Sequence, residues 1–209
     1  MELEIIGICF EPSADRSQCF PEITFVHSQR PTVREILGFD APALPLVSNI
    51  LEHVPADADR VIFSNSDIHL IDSAYEYISD QMDKESGAIS INRVTLPADQ
   101  LGTNLETVRN LLPTAEPHPG SDLFCFPKVC MDSFVFGNVF LGSPPVAKIF
   151  MTNLSLACIS LRVIEESGVS YHFGDSREWK SNSRMERVNS FYAFRALSEL
   201  KLRHGRAGL

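Results

Sequence analysis

Short apolar runs alternate with stretches of helical periodicity along most of this chain. Residues 3–10 form a continuous apolar run containing Ile5, Ile6 and Ile8 and ended by Pro12, the pattern of a strand covered on both faces. A helix is expected over 45–54. After the polar PADAD turn, a β-rich stretch over 60–63 runs into Ser64-Asn65-Ser66-Asp67. Ser73 and Glu76 have capping-box spacing, and Tyr75, Ile78 and Met82 recur at helical intervals, so a helix should run through Asp83. Gly87 then separates it from AISIN, a third strand. Thr103 and Glu106 repeat the capping pattern before LETVRNLL, which Pro113 stops.

The remainder continues the alternation. Turn-rich EPHPGSD leads into the strand LFCF, a Phe-rich connector follows, and a long helix is expected over 145–164. VSYHF reads as a strand and 187–203 as a final helix. No internal repeat or linker interrupts the order, so a single domain over 1–209 is expected. Strands alternating with helices predict an α/β fold with an open, mostly parallel, Rossmann-like sheet flanked by helices. Ligands of such sheets bind outside the carboxyl ends of the strands, which here means 64–69, 92–96, 118–122 and 172–176.

Composition narrows the classes of function. A chain of 209 residues can bury a core without external staples, and 44% hydrophobic with 22% charged residues is ordinary for a globular protein. The formal charge of −9, with no Lys/Arg run interleaved with aromatics, argues against a nucleic-acid partner. The cysteines at 9, 19, 125, 130 and 158 are odd in number and scattered in apolar sequence, which suits reduced thiols and a cytoplasmic location. Cys125 and Cys130 lack zinc-knuckle spacing. Glu2 and Glu4 stand where a signal peptide carries positive charge. The apolar window 144–164 is broken by Lys148, Thr152, Asn153, Ser155 and Ser160, too polar for a transmembrane segment.

The sharpest local signal is RVIFSNSDIHL. A carboxylate just past a buried strand is rigidly held yet exposed at the ligand edge, and oxygen ligands suit Mg2+ or Mn2+. Asn65 and Asp67 fit that role, provided that a diphosphate supplies further ligands. Spacing alone favours a plainer role, with Asp67 capping the following turn or helix.

The strand, the Asn-x-Asp-Ile unit and the following helix, then GAISINRVTL, then HPGSDLFCFPK, resemble the glycosyltransferase-A fold of nucleotide-diphospho-sugar transferases, in particular a bacterial group of glycosyltransferase-like proteins. The resemblance runs over most of the chain. It implies that Asn65-Ser66-Asp67 stands for the DxD-type unit that binds a donor's diphosphate through Mn2+ or Mg2+. Asp67 would then be a metal ligand, and Asn65 would bond the donor's ribose or a metal-bound water. It also implies that Asp122 orients an acceptor hydroxyl or acts as the catalytic base, against the alternative of an Asp satisfying backbone donors in a turn. Gly120 would let the backbone approach a ligand. The acidic residue that follows a Gly-x-Pro stretch in such transferases is missing from Gly142-Ser143-Pro144-Pro145-Val146-Ala147-Lys148.

His172 matches the late histidine that reaches the metal or diphosphate in this fold, though a lone histidine is more often satisfied by backbone. Arg177 could fork onto a phosphate, with Asp175 close by. Arg93 could approach the diphosphate or pair with Asp67. Trp179 reads as packing slightly ahead of sugar stacking. Arg30 and Arg34, beside Pro31 in an expected loop, and His27, His53, His69 and His204 read as ordinary residues.

The expected function is metal-dependent transfer of a sugar from a nucleotide-sugar donor to a carbohydrate or other hydroxyl acceptor. The competing expectation is a non-catalytic binder that keeps the fold, which Asn65 and the missing acidic residue favour. An aspartyl phosphatase is excluded because its nucleophile would have to be Asn65. Dinucleotide redox chemistry lacks its G-x-G-x-x-G.

Overall fold

The structure is a computed structural model that describes residues 2–9, 20–38, 41, 43–85, 87–165, 167–174 and 183–205. Strands β1 (Ile5–Cys9) and β2 (Ile23–His27) pair in parallel as a separate two-stranded sheet. Every residue of β1 is half-buried, so the expected covering of both faces is not reached among the described residues. Two short helices, α1 (Val33–Leu37) and α2 (Val47–Leu51), lead to β3 (Arg60–Ser64), β4 (His69–Leu70), α3 (Ala74–Glu85) and β5 (Ala88–Leu96). After α4 (Leu105–Leu111) come β6 (Glu116–Pro127), α5 (Val146–Ala157), β7 (Leu161–Ile164), β8 (Ser170–Phe173) and α6 (Ser183–Arg203).

The main sheet has the order β3-β6-β5-β8-β4, with β7 also paired to β5. Period-two alternation divides its side chains between two cores. Leu123 and Cys125 of β6 join Ile89 and Ile91 of β5 under Ala74, Ile78 and Met82 of α3. Phe124 and Phe126 point the other way, onto Ile149, Phe150 and Leu154 of α5 and Ala193, Ala196 and Leu200 of α6. The Phe150 ring stacks on Phe124 with centroids 4.4 Å apart and meets Phe63 at 4.7 Å. Helices therefore cover both faces, as expected.

The sheet is mixed, not mostly parallel. β3, β5 and β6 pair antiparallel, as do β4 and β8, while β7 and β8 run parallel to β5. Connection length explains the departure. A seven-residue α4 spans only about 10 Å, whereas returning to the start of nine-residue β5 requires about 30 Å. The chain re-enters the sheet where β5 ends, pairing Thr95 with Glu116, and must run back antiparallel.

The long apolar window also divides. Its helix stops at Ala157, and β-branched Ile159, Val163 and Ile164 favour extended backbone, so β7 forms against β5. The turn-rich EPHPGSD lies wholly inside β6. Arg34 lies in α1 rather than a loop, although it and Arg30 are exposed as expected. Asn104, not Thr103, caps α4, its side chain accepting from Thr107 N at 2.9 Å.

Candidate functional site

Residues 65–68 connect β3, at one end of the strand order, to β4 at the other. Four inter-strand steps in a flat sheet would cover roughly 19 Å, about the full contour of the five Cα steps available. Yet the segment contains a tight turn, Ile68 N–H donating to the Asn65 carbonyl at 3.3 Å. The sheet must curl to bring its two edges within reach, and the turn lies across the opening. Asp67 is at the turn's crest.

The Asp67 side chain is 63% exposed, and its partner among the described residues is His172, whose Nε2 lies 3.2 Å from Oδ2. Among the described residues it caps no backbone amide, so the capping role that spacing favours is not seen there. His172 is 15% exposed, and its Nδ1 lies 2.8 Å from the Gly174 carbonyl. A carbonyl only accepts, so Nδ1 carries a proton and Nε2 is the nitrogen left to face the carboxylate. β8 delivers this ring: Thr95 of β5 pairs with His172, and His69 of β4 pairs with Tyr171.

His69 is a site neighbour that sequence reading passed over. Its ring stacks on Tyr171 at 5.2 Å and meets Phe173 edge-on at 5.5 Å. Partial burial, then the neighbouring His172, hold its imidazole below the ordinary value, against the opposing pull of Asp67. The available signal was the pairing of DIHL with SYHF as aromatic alternation, legible only once the two strands were known to be partners.

Asp122 and Arg93 form a second cluster. Ile91 opposes Leu123 while Asn92 opposes Ser121, leaving Asp122 unmatched in a bulge; Val94 then opposes Pro117, so 118–120 stand against Arg93 alone. Bulges re-aim side chains, and these turn Asp122 onto Arg93, whose Nη1 donates to Oδ2 at 2.5 Å. Both are largely shielded, at 18% and 12% exposure, and Arg93 Nε is buried without a hydrogen-bond partner among the described residues. Arg93 thus pairs with Asp122, not with Asp67. The His118 Nδ1 atom accepts from Gly120 N at 3.0 Å, so its 3.9 Å approach to Asp122 Oδ2 is not an ion pair in that tautomer. Gly120 makes room for the His118 ring: an added Cβ would lie 2.7 Å from its Cε1.

Strand pairing links the described parts of the four expected segments: Asn92 opposes Ser121, Thr95 opposes His172 and His69 opposes Tyr171. Asn65 gives its carbonyl to Ile68 N and to the Ser64 hydroxyl, and the exposed Ser66 makes no side-chain bond among the described residues. Arg177, Asp175 and Trp179 lie outside the described residues. No group of three or more His, Cys, Asp or Glu side chains converges on a metal position among the described residues. A cavity of about 480 Å³ lined by Asp59, Lys128 and Asp132 opens at the other end of β3.

No family model matches the chain, and no curated relative matches it. Among solved structures, S. aureus TarS 1–349, crystallised in complex with UDP-GlcNAc, superimposes with a TM-score of 0.50 at 8% identity. The match covers 89% of this chain and 57% of that one. At that identity the likeness speaks for fold alone, an α/β fold built here on a mixed sheet. Among the described residues no helix is long and apolar enough to cross a membrane.

Proposed function

We propose that this chain binds a nucleotide-sugar donor through a divalent cation, Mn2+ or Mg2+, held at Asp67 and His172, and transfers the sugar to a hydroxyl acceptor. The observation that carries the reading is the 3.2 Å approach of an exposed carboxylate to an imidazole nitrogen whose other nitrogen is tied to a backbone carbonyl. Histidines that ligate metals are oriented in that way. Two protein ligands are too few for a closed site but suit a cation shared with phosphates and water. When bound, the cation would neutralise charge on the leaving diphosphate.

The chain's own residues would do the rest. Asn65 offers a side-chain amide to the donor's ribose or a bound water, and Ser66 adds a hydroxyl beside it. Arg177 would meet phosphate. Arg93 orients Asp122 by holding Oδ2, which leaves Oδ1 to accept the proton of an acceptor hydroxyl. The donor class is supported by the fold shared with TarS, crystallised with UDP-GlcNAc.

A second reading is donor binding without transfer. It is favoured by the commitment of Asp122 to Arg93 and by an amide, Asn65, where the unit has its first carboxylate. Titration calorimetry with UDP-GlcNAc, with and without Mn2+, tests donor binding; absence of metal-dependent heat would sink both readings. Product analysis with hydroxyl acceptors then separates enzyme from binder.

A further inference from the structure

Helix α6 is apolar on two sides, and one of them is uncovered. Ala193, Ala196 and Leu200 are buried in the core. At 3.6 residues per turn, Phe191, Phe194 and Leu202 gather on the opposite side, with exposures of 58%, 69% and 83%. Two phenylalanines and a leucine in one largely exposed stripe are little used by the core and mark a contact surface. Cations edge the stripe: Arg187, Arg195 and Lys201 are all exposed along it. Over Ser183–Arg203 five Lys/Arg face two Glu, a net of three positive charges in a chain of net charge −9.

We propose that this face seats α6 in the interface of an anionic phospholipid membrane, with the rings in the headgroup boundary and the arginines against lipid phosphates. Helices that lie in that plane carry aromatics and leucine between basic residues. The acidic bulk of the protein does not prevent this, because charges beyond about 8–10 Å are screened at physiological salt. A second copy of the chain fits the face less well. A two-fold contact presents the same net-positive face from both sides, so like charge meets like charge across it, whereas an anionic surface meets every cation favourably.

Vesicle co-sedimentation of the full chain tests the proposal, comparing phosphatidylcholine alone with phosphatidylcholine mixed with phosphatidylglycerol. Binding is expected only to the mixed vesicles and should weaken with salt. Arg187→Gln with Arg195→Gln should lower the partition coefficient roughly thirtyfold, and Phe191→Ser with Phe194→Ser about tenfold or more. All four positions are exposed, so the thermal midpoint should hold; if it does not, Phe194→Trp keeps the apolar ring, and its emission, read as the difference from the wild type with its Trp179, should shift blue on the mixed vesicles. No sedimentation with anionic vesicles, binding indifferent to both double variants, or no emission shift overturns the proposal. So does a lipid-free dimer that the Phe191→Ser, Phe194→Ser variant dissociates.

Discussion

His172 aims both ring nitrogens at oxygen: Nδ1 at the Gly174 carbonyl, 2.8 Å away, and Nε2 at the Asp67 carboxylate, 3.2 Å away. A neutral imidazole has one N–H, and the carbonyl takes it. The Nε2 lone pair then faces the carboxylate across 3.2 Å, the gap that the proposed cation would fill. The cation reading predicts that Mn2+ with UDP stabilises the wild type by about 2.7 kcal/mol at a hundredfold excess over Kd. Asp67→Ala and His172→Ala should each abolish that gain in calorimetric melting. Asp67→Ala should move the ligand-free stability by no more than about 0.5 kcal/mol, because the carboxylate is exposed and caps no amide among the described residues. An equal gain in wild type and Asp67→Ala would rule the site out.

The proposed role of Asp122 as base, held by Arg93, can be tested apart from donor binding. Asp122→Asn keeps the shape and loses the proton acceptor, so donor affinity should stay within about threefold while turnover falls by roughly 10²–10⁴. Single-turnover product assays beside titration calorimetry read the two quantities apart. If Asp122→Asn loses donor affinity and turnover in proportion, Asp122 belongs to the binding surface and is not the base.

Much of this was legible in the chain, for identifiable reasons. The helix at Ala74–Glu85 followed from Ile78 and Met82 at spacing four, and the strand at Arg60–Ser64 from its apolar run. The positions of Asp67 and His172 followed from strand ends. Strand direction was not legible, because it depends on how far a connector reaches: LETVRNLL looks like any crossover helix until its length is set against that of β5. HPGSD reads as a turn because glycine and proline usually break strands. Here they sit in bulges, where the extra residues turn Asp122 toward Arg93. Pairings such as Asp67 with His172, 105 residues apart in sequence, have no local signature.

Two buried asparagines do work that a strand partner usually does. Asn153 accepts from Val135 N at 2.6 Å and donates to the carbonyls of Val135 and Ile149. Asn189 accepts from Phe140 N and donates to the carbonyls of Phe140 and Ser143. Together they satisfy the backbone between β6 and α5. Replacing either by Leu leaves several buried peptide groups unpaired, each costing about 1–3 kcal/mol, so a loss of about 3 kcal/mol or more is expected in urea unfolding. A loss below about 1 kcal/mol would mean that water takes over the bonds.

Acid should loosen the start of α1 through Glu35. The backbone N–H of Thr32, first, and its hydroxyl, second, donate to the Glu35 carboxylate and hold its pKa below the ordinary 4.5. A folded-state pKa below the unfolded value means that the capping contribution is complete above about pH 4.5 and is lost as pH falls through the lowered value. The stability difference between wild type and Glu35→Ala should therefore be constant at neutral pH and shrink in acid. A difference that grows in acid would reverse the sign and refute the capping account.

Gly87 is where the strand that replaced the end of the expected long helix meets its neighbour. Ala88 N donates to the Ser160 carbonyl at 2.9 Å, and the Ser160 hydroxyl donates to the Glu85 carbonyl at 3.0 Å. A Cβ at position 87 would lie 2.2 Å from Ser160 Oγ and 2.6 Å from its carbonyl oxygen. The hydroxyl could rotate away; the backbone oxygen could not without pulling β7 from β5. Gly87→Ala should then destabilise by about 1–3 kcal/mol, the usual range for overpacking. Adding Ser160→Ala removes the nearer clash only, so the double variant should recover a minor part of the loss in urea unfolding. Full recovery would show that the hydroxyl alone requires glycine there and that the backbone approach is slack.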